Sequence, residues 1–263
     1  MYRYFFLLLA AAILYGCNKT EDNILWQGFF GEGKALAVKA AGDSGFVSGG
    51  IMGGKQYMMF LDEKRNITME YKPERSGSIT SIMTSAASFV AAGSTDGKMS
   101  LTRVDSEGMV VWDTLFTADF RIDHVSLSSS AGENFLAVGT VAPDSVSAGS
   151  SGLCFIWFNL SGSITARKDI AFPSFASAKA VATDNAGNIS LGFSKLGTGG
   201  NLKATVAKYN SLVQFLWEKE LYNNPAFGSA SLAITLDGSD NPVVAGRTGM
   251  MTSGGYETNA FVA

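Results

Sequence analysis

The fold is decided by residues 230–263, ASLAITLDGSDNPVVAGRTGMMTSGGYETNAFVA. Two short apolar segments, ASLAITLD and PVVAGRT, flank a GSDN sequence, and a third, NAFVA, follows them. Short segments of this composition, separated by Gly, Asp and Asn, predict β-strands that are joined by hairpin turns. Earlier parts of the chain repeat the same three segments and add a fourth.

The repeat occurs five times and has a period typical of one fold. Its second segments align on Gly49, Gly93, Gly139, Gly192 and Gly246, which are 44, 46, 53 and 54 residues apart. A fourth segment, such as MVVWDTLF or VQFLWEKELY, ends each complete repeat in aromatic residues. Four short strands in a unit of this length are typical of a β-propeller blade.

The fifth repeat lacks a fourth segment, and residues 24–30, ILWQGFF, have the matching pattern. WQGFF aligns with WDTLF of residues 112–116. We therefore predict an all-β propeller of five four-stranded blades, at 35–71, 78–116, 124–172, 177–222 and 230–263 with 24–30. Pairing of 24–30 with 259–263 would close the ring and remove two open sheet edges. The alternative is a fragment of a larger propeller.

The N-terminal sequence MYRYFFLLLAAAILYGC has the pattern of a targeting segment. One positive charge, Arg3, precedes an apolar run over residues 5–14 that is too short to span a bilayer comfortably. We predict a signal peptide over residues 1–16, a linker over 17–23 and a single domain over 24–263. The other cysteine of the chain, Cys154, lies in the apolar segment LCFIWFN and is predicted to be a buried free thiol.

The sequence Leu14-Tyr15-Gly16-Cys17 resembles a bacterial lipobox, and this resemblance implies cleavage before Cys17 and lipid on that residue. Asn18 favours sorting to the outer membrane, and the following KTED resembles a surface-export signal. The linker would hold the domain within roughly 20 Å of the bilayer. The alternative is an ordinary secretory signal with an incidental cysteine.

The repeats, taken together, resemble those of bacterial lipid-anchored β-propeller lipoproteins. They are also similar to the loosely defined repeats of pyrroloquinoline-quinone-like and related propellers. The resemblance covers residues 24–263 and rests on structural motifs, so it implies the fold and does not imply a single function.

Composition excludes several classes of function. A net charge of −3 with scattered Lys and Arg provides no basic surface for nucleic acid. One histidine, His124, leaves little basis for a metal site made of imidazoles. Glycine-rich stretches such as SGGIMGGK lack the spacing of nucleotide-binding loops. We predict no cofactor and no metal.

Catalytic groups of a propeller would lie on the first strands, which line the central channel. The polar residues there are Lys39, Ser81, Thr84, His124, Ser126, Ser128, Lys179 and Thr183. The carboxylates Asp123, Asp184 and Asp237 lie at strand ends, the last two in turn-like sequences, which fits poorly with the two facing carboxylates of a glycosidase. Asp123 and His124 are adjacent and point to opposite faces, so they do not form part of a triad. We predict no catalytic residue.

The predicted ligand-binding surface is the face that carries the connectors between blades. Loops between second and third strands should lie on this face, and three of them are long, at 141–152, 195–201 and 247–259. The candidate ligand-binding residues are Arg75, Arg121, Arg247, Met250 and Tyr256. We predict a non-catalytic monomer at the outer membrane or cell surface that binds a protein or carbohydrate. The alternative is a propeller enzyme, either a weak glycoside hydrolase or a quinone-dependent oxidoreductase.

Overall fold

The computed structural model describes residues 33–41, 45–64, 66–85, 88–118, 121–129, 134–140, 151–172, 176–196, 202–221, 228–252 and 255–263. In this part of the chain, nineteen strands form five antiparallel sheets and there is no helix. Strands that follow each other in sequence are neighbours within each sheet.

Each sheet is one blade, and its first strand lies innermost. Blade one has β1 (Gly33–Ala40), β2 (Gly45–Met52), β3 (Lys55–Asp62) and β4 (Ile67–Tyr71). Blade two has β5 (Ser78–Ser85), β6 (Ser88–Thr95), β7 (Lys98–Asp105) and β8 (Val110–Phe116). Blade three has β9 (His124–Ser129), β10 (Asn134–Thr140), β11 (Ser151–Asn159) and β12 (Ile164–Phe172). Blade four has β13 (Ala176–Thr183), β14 (Ile189–Leu196), β15 (Leu202–Tyr209) and β16 (Phe215–Glu220). Blade five has β17 (Gly228–Leu236), β18 (Pro242–Thr252) and β19 (Gly255–Val262).

The prediction of a five-bladed β-propeller is confirmed. The inner strands β1, β5, β9, β13 and β17 lie beside one another in this order, and the predicted limits of the first four blades agree with the sheets to within two residues. The fifth sheet has three strands among the described residues. Residues 24–30, which we predicted to complete it, lie outside the described part of the chain, as do the predicted signal peptide and Cys17.

The core consists of apolar layers between neighbouring blades. Representative buried residues are Met58, Ile79 and Phe89 between blades one and two; Leu101, Val125 and Phe158 between blades two and three; and Leu136, Phe155 and Leu191 between blades three and four. Middle strands are covered on both faces and therefore read as continuous apolar runs, as in LCFIWF of β11. The layered packing fixes each blade by its two neighbours.

The second strand of each blade is rich in small residues because its neighbours approach it closely. A Cβ atom added to Gly49 would lie 2.7 Å from side-chain carbons of both Ile79 and Ile82 in the next blade. A Cβ atom added to Gly93 would lie 1.8 Å from the carbonyl oxygen of Ser78 in its own blade. Both distances are far below van der Waals contact, so these positions require glycine.

Four of the five inner strands have a register shift at the same place, where one extra residue forms a β-bulge. The extra residues are Leu36, Thr80, Lys179 and Leu232. The residues that pair just before the bulge are Gly50, Gly93, Phe193 and Gly246. The sequence alignment used Gly49 and Gly192, and it is therefore displaced by one residue in blades one and four.

The inner strands β1 and β17 carry apolar side chains that are unusually exposed in the described part of the chain. Leu36 and Val38 of β1 are 47% and 61% exposed, and Leu232 of β17 is 50% exposed. Ile82, which occupies in β5 the position of Val38, is only 6% exposed. These apolar side chains are therefore packed less closely than Ile82.

The prediction of a loop at 247–259 is wrong, because β18 and β19 extend as a long hairpin through this segment. Thr248 pairs with Asn259, and Met251 pairs with Tyr256. Threonine, methionine and tyrosine are readily accommodated in a strand, so the ladder continues past the end predicted from the small-residue pattern. The ends of the other two predicted loops also belong to strands, at residues 195–196 and 151–152.

Candidate functional site

Polar side chains of the inner strands join blades two and three. The Thr80 hydroxyl donates to the Val125 carbonyl at 2.6 Å and accepts from the Val125 amide at 3.1 Å. Ser81 Oγ accepts a hydrogen bond from the Leu127 amide at 3.0 Å. These backbone groups of β9 do not pair within their own sheet, so the hydroxyls satisfy an edge that would otherwise be open.

The same arrangement joins blades three and four. His124 Nε2 and Ser126 Oγ both donate to the Lys179 carbonyl, at 3.0 and 2.9 Å. Ser128 Oγ lies 2.8 Å from Thr183 Oγ1 and accepts from the Thr183 amide at 3.0 Å. Five of the channel residues predicted from the sequence therefore form side-chain hydrogen bonds between blades: Ser81, His124, Ser126, Ser128 and Thr183. Lys39 is exposed on β1, and Thr84 is half-buried on β5.

His124 is held as a neutral imidazole. Burial and then the nearby charge of Lys179 lower its pKa to about 4, although the hydrogen bond to the Lys179 carbonyl opposes this. Because that carbonyl is an acceptor, Nε2 carries the proton. Burial also lowers the pKa of the Lys179 amine, against the opposing charge of Asp123. A neutral, hydrogen-bonded imidazole in this place fits a structural role.

The strand-end carboxylates Asp184 and Asp237 organise hairpin turns. Asp184 Oδ1 accepts from the amides of Ala186 and Asn188 at 3.1 and 2.7 Å. Asp237 Oδ1 accepts from the amides of residues 239 and 241 at 2.8 and 2.9 Å. Burial raises the pKa of Asp184, but hydrogen bonds from Asn188 and the hydrogen bond and charge of Lys208 together outweigh it and lower the pKa. Both acids are thus held as turn-forming carboxylates, which agrees with the prediction that they lie in turns.

Arg75 lies between blades one and two and is bound on every side by protein. Its guanidinium contacts both carboxylate oxygens of Asp113 at 2.7 and 2.8 Å. It also donates to Tyr71 Oη, Thr102 Oγ1 and Gln56 Oε1 at 2.9 to 3.0 Å. Only 18% of the side chain is exposed. These five contacts connect blades one and two. They indicate a structural role for Arg75 and weigh against a role in ligand binding.

Arg121 lines an open polar cleft of about 440 Å³ on the connector face. Its side chain is 62% exposed and donates from Nε to Asp123 Oδ1 at 2.8 Å. The remaining lining residues are Ser76, Gly77, Ser94, Asp96 and Gly97. The Ile122 amide donates to the Gly97 carbonyl at 2.7 Å, which fixes the connector against the turn between β6 and β7. A second-to-third-strand loop and a connector therefore do share this face, as predicted.

Sequence reasoning identified Arg121 as a binding candidate and Asp123 only as a strand-end carboxylate, and it missed the rest of the cleft. Asp96 and Gly97 form the tight turn of STDGK and both have positive φ, 49° and 75°. Because this turn is short, its sequence gave a weaker indication of a binding site than the long loops predicted in blades three to five. Its position beside the 121–123 connector depends on how blades two and three pack, which the local sequence does not specify.

The other candidates lie in blade five, away from this cleft. Arg247 is exposed on β18, where it pairs with Ala230 and Ala260. Met250 and Tyr256 belong to the hairpin of β18 and β19. Arg247 is not among the described residues that line the cleft at Arg121.

Cys154 is a buried free thiol, as predicted. Burial and then a hydrogen bond with Asp169 raise its pKa to about 12, so it is unreactive. Within the described ranges, no three His, Cys, Asp or Glu residues are grouped so that they could hold a metal ion. The same ranges contain no helix long and apolar enough to cross a membrane.

Comparisons with known proteins show a similarity of fold and no similarity of sequence family. No protein-family model matches the chain, and no curated protein matches its sequence. A protein of unknown function from Bacteroides caccae has a similar structure, with 13% identity and a TM-score of 0.50 over 80% of this chain and 72% of that one. An exo-β-1,3-galactanase from Phanerochaete chrysosporium has 8% identity and a TM-score of 0.56 over 86% and 59%. An endo-arabinase from Bacteroides thetaiotaomicron has 10% identity and a TM-score of 0.51 over 84% and 89%.

The partly buried His124 predicts a specific pH dependence of stability. Unfolding returns its pKa from about 4 toward 6.5, so the unfolded chain takes up a proton first as the pH falls. Stability is complete above pH 6.5 and falls between 6.5 and 4, by about 2 kcal/mol from pH 7 to pH 5. No other histidine contributes, because the chain has one. Urea unfolding at both pH values should show this loss in the wild type and a smaller one in His124→Gln, which retains a donor for Lys179. Equal losses in the two proteins would contradict the assignment.

Proposed function

We propose that this chain is a non-catalytic binding module of the bacterial cell envelope, anchored by lipid on Cys17, which recognises a protein or carbohydrate on its connector face. One contrast carries the proposal. Most of the polar residues that would serve catalysis in the channel are hydrogen-bonded between blades, whereas the cleft at Arg121 presents polar groups to solvent. Binding surfaces on rigid scaffolds are commonly built from such connecting segments.

The cleft has chemistry suited to a polar ligand. Arg121 supplies several N–H donors, Asp96 and Asp123 supply acceptors, and the hydroxyls of Ser76 and Ser94 can do both. Its volume of about 440 Å³ lies within the range of small-ligand sites. A carbohydrate, or a polar loop of a protein, matches this mixture of donors and acceptors better than an apolar ligand does.

Glycoside hydrolysis is the second candidate, because two carboxylates line the cleft and two similar structures are a galactanase and an endo-arabinase. Such enzymes need one carboxyl group in an apolar site that keeps it protonated. Here Asp96 is exposed and Asp123 contacts the Arg121 guanidinium. The open polar setting therefore favours binding over hydrolysis.

Binding at the cleft is tested with a glycan array and with capture from a bacterial envelope extract. Arg121→Ala and Asp96→Asn should each weaken a ligand found with the wild type by roughly tenfold, since each removes a charge-assisted contact. Lys219→Ala, an exposed change on β16, is the control and should bind normally. Unchanged binding by both cleft variants would place recognition elsewhere. Cleavage of a captured glycan that is lost in Asp123→Asn would establish the enzyme instead.

The anchor is tested on full-length protein produced in a bacterium with an outer membrane. Mass spectrometry should find the mature N-terminus at Cys17 with attached diacylglycerol, and Cys17→Ser should lose both the modification and membrane association. Protease treatment of intact cells, with a periplasmic protein as control, then shows on which side of the membrane the propeller lies. An unmodified Cys17 in a processed, secreted protein would contradict the anchor.

A further inference from the structure

One position of the fourth strand recurs in four blades, and in blades one and two its side chain contacts the following blade. Along the third strand, this position belongs to the last residue pair before a register shift between the third and fourth strands. The pairs are Phe60 with Met69, Arg103 with Trp112, Trp157 with Ala166 and Lys208 with Trp217. The fourth-strand residue is therefore large in blades one, two and four and small in blade three.

In blades one and two, the large residue covers a glycine in the next blade. Trp112 lies over Gly162, where an added Cβ would be 2.9 Å from the indole ring. Its Nε1 atom donates to the Leu160 carbonyl at 2.8 Å. Met69 covers Gly108 in the same manner, with its Cγ at 2.8 Å from an added Cβ. The large side chain thus fills the seam beside the turn between the third and fourth strands.

The seam between blades three and four reverses these sizes. Ala166 replaces the large residue, and Val213 occupies the turn position that is Gly108 or Gly162 in blades two and three. Val213 has a φ of 57°, which is strained for a β-branched residue. Its side chain is buried with Phe155 and Tyr209, and this packing offsets the strain.

Val213 does not fill all of the space that a tryptophan would occupy. A pocket of about 350 Å³ remains, with walls that include Trp157, Ala166, Leu212 and Val213. Leu212 is 69% exposed at its mouth. The pocket therefore combines these apolar walls with polar ones, from Thr165, Arg167, Lys168 and Ser211, and it is open at the rim of the propeller.

Lys168 also lines this pocket, and its ammonium group has no carboxylate partner among the described residues. Lys168 Nζ donates to the carbonyls of Leu212 and Val213 at 2.9 and 3.3 Å. Within the described ranges, no carboxylate lies at salt-bridge distance from it, whereas the neighbouring Arg167 is paired with Asp169 at 2.7 Å. An ammonium group with two carbonyl acceptors retains one N–H donor and its full charge.

We propose that this rim pocket binds an aromatic side chain of a partner protein that has a carboxylate next to it. The aromatic ring takes the place that Trp112 fills at the preceding seam, and the carboxylate pairs with Lys168. The pocket involves neither the connector face nor the lipid anchor, so binding at this site is independent of the proposed function.

Indole-3-acetate is the probe, and neutral indole-3-acetamide is its matched comparison. Titration followed by two-dimensional NMR of the folded protein should show saturable shifts at residues around Ala166 and Val213. A ligand of this size should have a dissociation constant on the order of 1 mM. Lys168→Gln should weaken binding of the acetate roughly threefold and leave the acetamide unchanged. Lys219→Gln is the control and should change neither.

Filling the pocket provides a second test that does not depend on charge. Ala166→Trp combined with Val213→Gly recreates the pair seen at Trp112 and Gly162, and it should abolish the shifts caused by both probes. Val213→Gly alone enlarges the pocket and should retain binding. Circular dichroism and the urea midpoint verify that both variants are folded. Absence of saturable shifts in the wild type at ten times the expected dissociation constant would overturn the proposal, as would equal binding by the filled variant.

Discussion

The packing of blades two, three and four depends on how their innermost strands satisfy their open edges. A sheet edge leaves backbone amides and carbonyls without partners, and in a packed ring these groups cannot all be hydrated. Here the neighbouring blade supplies hydroxyl groups. Thr80 and Ser81 serve the edge of β9, and Ser128 serves the Thr183 amide of β13. Short polar side chains are therefore frequent on the inner strands for a structural reason, and the apolar layers outside them can then pack closely.

This constraint bears on where function can lie. A histidine, several serines and a lysine near a channel resemble the parts of a catalytic site, yet His124 and Ser126 converge on one backbone carbonyl. The repeat also assigns structural roles at the seams, where Arg75 joins two blades and Trp112 covers a turn. Places where the repeat is broken are then the informative ones. The pocket beside Ala166 is such a place, whereas the cleft at Arg121 lies on a different part of the propeller, where a connector meets a turn.

Much of the fold was predictable from the sequence, because strand length, turn residues and small-residue patterns are local. Even the end of blade one, predicted at residue 71, coincides with the end of the weak fourth strand β4. The displaced alignment at Gly49 was not predictable, since a bulge in β1 becomes visible only in the pairing with β2. The contacts of Arg75 and the position of Asp96 depend on residues that are distant in sequence. Sites formed between blades therefore cannot be predicted from single segments of the sequence.

The most direct test of this account is a double-mutant cycle on Ser128 and Thr183, which join blades three and four. Urea unfolding of the wild type, Ser128→Ala, Thr183→Val and the double variant gives the free energy of their interaction. If the hydroxyls serve to connect blades, the coupling should be roughly 1 kcal/mol in favour of the folded state. A coupling near zero, with both single variants as stable as the wild type, would contradict the structural role and return these residues to the candidates for function.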